Sequence, residues 1–325
     1  MRAGLLAIAI AVPALLAGSG AHAAGSGLIF VTNERSDDIF VLNKRDEVIE
    51  SFKSCARPRG MMFTPDRKGL IVGCGNDDTI AVYDIASRKL VRRYRDIPDP
   101  ETFDLHPNGR DLYISNEDDS EATLLDMESG EVKAHNPTGG EPEGVLVTPD
   151  GKRVFVASEV ANLVHVIDVD KNAVIKDIPT GNRPRRFALT PDGRELWVSA
   201  EMSGVVDVID TRSLTSTTKI EFRPKGMRRE MVTPVDLVIT RDGKTAYVAL
   251  GRANHVAVVD VATRKVSDMI LVGKRPWGLR LTADEKTLYV ANGLSDDLSI
   301  VDTGTRRVRK TVPVGMIPYA VLVDD

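Results

Sequence analysis

Arg183-Pro184-Arg185-Arg186-Phe187-Ala188-Leu189-Thr190-Pro191-Asp192-Gly193 repeats, 42 residues on, the plan of Glu141-Pro142-Glu143-Gly144-Val145-Leu146-Val147-Thr148-Pro149-Asp150-Gly151. A short apolar run that ends in Thr-Pro-Asp-Gly reads as a strand running into a hairpin turn. Working outward, Pro58, Pro100, Pro142, Pro184, Pro234, Pro276 and Pro318 are spaced 42, 42, 42, 50, 42 and 42 residues apart. Further columns share the register. Leu112-Tyr113-Ile114-Ser115 and Leu196-Trp197-Val198-Ser199 follow the turn, and Val82-Tyr83-Asp84 and Val166-Ile167-Asp168 close a third strand.

Each unit holds four short strands and no helical period. In the Pro100 unit these are Glu101–Leu105, Leu112–Ser115, Ala122–Leu125 and Glu131–Ala134. Proline has no N–H to donate, so it suits the first position of a strand. Seven such units make an all-β, seven-bladed β-propeller of four-stranded antiparallel blades. The first unit opens on a second strand at Leu28, and the chain stops after a first strand, Tyr319–Val323. Pairing these two closes the ring and removes an open edge.

Residues 1–23 read as a signal peptide. Arg2 precedes the apolar run Leu5–Leu16, and Ala21-His22-Ala23 supplies a cleavage site. The remaining 24–325 form one propeller domain, exported and, in a Gram-negative bacterium, periplasmic. No later run is long enough to span a membrane. The formal charge of −4 from 43 basic and 47 acidic residues argues against nucleic-acid binding.

The repeats Leu28-Ile29-Phe30-Val31-Thr32-Asn33 and Leu288-Tyr289-Val290-Ala291-Asn292-Gly293 resemble the YVTN family of β-propeller repeats. The ordered loops Arg57-Pro58-Arg59-Gly60, Asp99-Pro100-Glu101, Glu141-Pro142-Glu143-Gly144 and Ala249-Leu250-Gly251-Arg252 resemble its seven-repeat periplasmic members associated with PQQ-dependent alcohol catabolism. That resemblance implies a non-catalytic binding or scaffold protein. Its implied partners are a quinoprotein dehydrogenase, its cytochrome or a transport component, with PQQ itself as a ligand to consider. It brings no catalytic residues and no resident cofactor.

The residues after the seven prolines are Arg59, Glu101, Glu143, Arg185, Val235, Trp277 and Tyr319. Four charges and two aromatics in one column mark a polar channel mouth. With Arg186, and with Arg228 and Arg229 from an eight-residue insertion before Pro234, they are the expected site for an anionic small molecule or a partner protein. The simpler alternative is a solvated rim whose arginines and glutamates pair. The functional alternatives are a generic envelope interaction protein and a lactonase-like hydrolase, the latter with Glu101, Glu117, Glu143, Glu159 and Glu201 as its available bases. The histidines lack ligand spacing and the Asp-Asp pairs sit in turns, so no metal is expected. Cys55 and Cys74 flank an antiparallel strand pair and are expected to form a disulfide.

Overall fold

The computed structural model describes residues 25–325, so the signal-peptide reading of 1–23 lies outside the described residues. Seven four-stranded antiparallel sheets form seven blades. In the Pro58 blade the strands run, from the axis outward, Pro58–Phe63, Gly69–Cys74, Thr79–Asp84 and Leu90–Tyr94. The last blade joins Pro318–Val323 to Ile29–Asn33, Asp38–Leu42 and Val48–Lys53, with Val31 opposite Val321. That pairing closes the ring, as the chain ends imply. No helix among the described residues is long and apolar enough to cross a membrane.

The period-2 geometry of a strand explains why the second strands are apolar throughout. Leu70 and Val72 point to one neighbouring blade and Ile71 to the other. Both faces of a blade are therefore covered, and seven apolar clusters fill the seven junctions. The Thr-Pro-Asp-Gly turns are held from within. Thr148 Oγ1 donates to Asp150 Oδ1 at 2.6 Å, and Lys152 N donates to the same oxygen at 3.0 Å. Gly151 takes a left-handed φ of 70° that a side chain would strain.

Cys55 and Cys74 are disulfide-bonded, with a Cα–Cα distance of 5.7 Å. The bond spans 19 residues and ties the start of the Pro58 blade to the end of its second strand. Replacing both cysteines with alanine is expected to cost roughly 3 kcal/mol, the chain-entropy value for a loop of this size. Urea unfolding measures it. An unchanged midpoint, or two reactive thiols per chain in the unreduced denatured protein, contradicts the expectation.

A bulge shapes the axial end of most blades. Between the first two strands the register shifts between Pro58 and Met61, and between Pro100 and Phe103. The Pro142, Pro184 and Pro276 blades do the same. A bulge re-aims the extra residues, and here they are Arg59-Gly60, Glu101-Thr102, Glu143-Gly144, Arg185-Arg186 and Trp277-Gly278.

Candidate functional site

The column after the prolines converges on the axis, but it does not form an open mouth. Glu101, Glu143, Arg185 and Tyr319 are buried, none more than 3% exposed. Arg59 Nε donates to Glu101 Oε2 at 2.7 Å, and the Tyr319 hydroxyl reaches Glu101 at 3.2 Å and Glu143 at 3.0 Å. The Arg185 guanidinium joins Glu143 at 3.1 Å, Glu159 at 2.5 Å and Glu201 at 3.2 Å. Trp277 lies between Arg185 and Arg275, whose guanidinium carbons stand 4.9 and 4.8 Å from its ring centroid. The rim is therefore a paired seal at the proline end of the channel, buried at Glu101, Glu143 and Arg185 and open to solvent at Arg57 and Arg183.

The electrostatics of the seal follow from that burial. Burial, reinforced by Glu143, pushes the Glu101 carboxyl well above its ordinary value. Burial also lifts Glu159 to about 8, with Glu143 and Glu201 adding to the rise against Arg185 and Arg183. Arg185, Arg186 and Arg59 outweigh burial at Glu143 and hold it ionised. Asp99, Glu101 and Glu117 come within ligand distance of one another. Arg57 fills the space between them, 2.8 Å from Asp99 and 3.2 Å from Glu101, so a guanidinium already supplies the charge that a metal would bring.

Behind the seal lies a cavity of about 640 Å³ along the axis. It runs past the inner strands to Thr64, Pro65 and Arg67 at the turn end. Of the residues expected from sequence, only Arg186, Trp277 and Tyr319 line it. Arg59, Glu101, Glu143 and Arg185 stand behind that lining. Arg228 and Arg229 are exposed on the insertion, where Arg228 pairs with Glu230 at 3.2 Å, and they line none of this cavity.

In the blade that carries the insertion the inner strand begins at Leu237, while Val235 and Asp236 still bond Ala249 through the backbone. The second position after the proline packs on the next blade, and a Cβ at Gly144 or Gly278 would strike the carbonyl of Arg185 or Tyr319. In the Pro184 blade that position is Arg186, and in the Pro234 blade it is Asp236. The column lines the cavity, and these two bring charge to it. Asp236 Oδ2 accepts the Leu279 N–H at 2.8 Å, and burial raises its pKa against the pull of Arg186.

Two further charges were not singled out in the sequence. Asp104 and Arg280 occupy the fourth position after the proline, a column otherwise filled by Met62, Leu146, Ala188, Val238 and Leu322. A charge in that apolar column was the available signal. Asp104 Oδ2 accepts the Val147 N–H at 2.8 Å, and no cation pairs with its carboxylate among the described residues. Burial lifts it to about 6, and its hydrogen bonds to the Val147 and Leu105 amides only partly oppose the rise. Such a carboxyl is poised to exchange a proton near neutral pH.

Fold and cavity together define a seven-bladed propeller with a cavity of mixed polar and apolar lining on its axis. Residues 17–190 match the family model described as YNCE-like beta-propeller, and the chain belongs to that family. Residues 172–323 match a second model, described as lactonase, 7-bladed beta-propeller. No curated protein matches the chain.

Among solved structures, the periplasmic gluconolactonase of Pseudomonas aeruginosa is 21% identical, with a TM-score of 0.77 over 92% of this chain and 99% of that one. A putative 6-phosphogluconolactonase from Bacteroides fragilis is 18% identical, with a TM-score of 0.78 over 92% and 98%. Kuenenia stuttgartiensis hydrazine synthase also matches, 17% identical at a TM-score of 0.76 over 89% and 99%. At these identities the likeness is one of fold. The lactonase match nevertheless overturns the expectation of a non-catalytic scaffold beside PQQ-linked alcohol oxidation. The hydrolase alternative is the better supported of the two.

Proposed function

We propose that the protein is a hydrolase that opens a lactone in its axial cavity, with Asp104 as general base. The observation that carries this reading is a carboxyl without a cationic partner, lifted to about 6, in the wall of the axial cavity. The family match over 172–323 and the named gluconolactonases among similar structures support the reaction class. In the proposed step the Asp104 carboxylate takes a proton from water as that water attacks the lactone carbonyl. The ring C–O bond then breaks and the departing oxygen recovers the proton, giving a hydroxy acid.

The reading includes export to the periplasm. The Cys55–Cys74 bond suits an oxidising compartment. Titrating acid release from D-glucono-δ-lactone and other sugar lactones tests the activity. A rate well above the spontaneous one is expected from the purified protein, and a rate equal to buffer across the set overturns the proposal.

A further inference from the structure

We propose that Arg280 is the recognition residue for an anionic group, phosphate or carboxylate, on the molecule that enters the axial cavity. The inference rests on the lactonase reading only for what the rest of that molecule is. Three arginines line the cavity, and two are engaged. Arg67 pairs with Asp324 at 2.6 Å and stacks 4.5 Å from the Phe63 ring centroid. Arg186 holds Glu143 at 2.9 Å and the Tyr319 hydroxyl. Arg280 forms no ion pair and no side-chain hydrogen bond among the described residues.

Its neighbours do not substitute for a ligand. Asp236 and Asp325 act on its charge from a distance. The Asp236 oxygens accept the Leu237 and Leu279 amides at 2.8 Å each, and Asp325 accepts the Ala283 amide at 2.6 Å. Arg280 stands exposed on the cavity lining, and the surrounding protein lowers its pKa. A guanidinium remains charged under such conditions, and its planar fork of donors matches phosphate or carboxylate. An anion would give it the charged partner it lacks.

The register adds direction. Asp104 pairs with Tyr113, and Arg280 with Tyr289, at equivalent ladder positions. The two charges therefore stand at one level of the channel, on well-separated blades of the ring. A molecule held by its anionic end on Arg280 spans the cavity toward the Asp104 carboxylate.

Calorimetry on the full mature chain tests this with inorganic phosphate, gluconate and 6-phosphogluconate as probes. At least one probe is expected to bind, and Arg280→Gln to weaken it tenfold or more while the melting temperature holds. Arg45→Gln, an exposed change outside the cavity, serves as control and is expected to leave affinity unchanged. Phosphate binding without gluconate binding assigns the site to a phosphorylated ligand, and gluconate binding to a carboxylate. No binding of any probe, or equal affinity in Arg280→Gln, overturns the inference whatever the lactone assay gives. Arg280-dependent binding without lactone turnover leaves this inference standing and removes the lactonase reading.

Discussion

Replacing Asp104 by asparagine is expected to lower kcat/KM for lactone hydrolysis by about 10²- to 10⁴-fold, the usual worth of a positioned general base. The amide is nearly isosteric and its oxygen still accepts the Val147 N–H, so the fold is retained. Stability should move the other way. The folded-state pKa of about 6 lies above the unfolded value, so the folded protein keeps a proton that the unfolded chain releases. Stability from this group is therefore highest at low pH and declines as pH rises from about 4 to about 6. At pH 7 the full cost is present, up to about 3 kcal/mol, and asparagine removes it. Loss of activity with equal or greater stability is the signature of a functional charge held in an unfavourable place. An inactive variant that also melts early would point to a structural role instead.

Arg185→Ala should give the largest loss of stability in the molecule, about 3–5 kcal/mol, because it leaves the buried Glu143 carboxylate short of a cation and strips a hydrogen-bonding partner from Glu159 and Glu201. Removing its stacking on Trp277 adds to the loss. The pairing also predicts non-additivity. Glu143→Gln introduced into Arg185→Ala should cost less than it does alone, because the carboxylate it removes has already lost a partner. Denaturant unfolding of the two single variants and the double variant measures both effects. A loss under about 1 kcal/mol for Arg185→Ala would return the cluster to a solvated rim.

The repeat made the fold legible because each blade solves the same packing problem. Its prolines, turns and apolar second strands recur for the same physical reasons. Inner strands fell within a residue of expectation, as with Pro100–Leu105 against Glu101–Leu105. The outer strand of that blade, Val132–Pro137 against Glu131–Ala134, was less sharply marked. An exposed edge has no apolar alternation to fix its ends.

The site was half legible. Arg59, Glu101, Glu143, Arg185, Trp277 and Tyr319 stood out as a column, but sequence does not say whether such residues face water or each other. Here the bulges turn them inward, and opposite charges from neighbouring blades meet. Asp104 and Arg280 escaped notice because a lone charge in a strand ordinarily marks its solvent face. Their strands are innermost, so both residues line the axial cavity. Arg228 and Arg229 stand exposed on the insertion and outside the cavity lining, a separation that their place in the sequence does not reveal.

The pH dependence of kcat/KM for D-glucono-δ-lactone, with spontaneous hydrolysis subtracted, tests the central claim most directly. Catalysis by the Asp104 carboxylate predicts a rate that falls as pH drops through about 6, following the free-enzyme group, and an acid limb that vanishes in Asp104→Asn. A rate no higher than that of buffer, or an acid limb unchanged in Asp104→Asn, would contradict it.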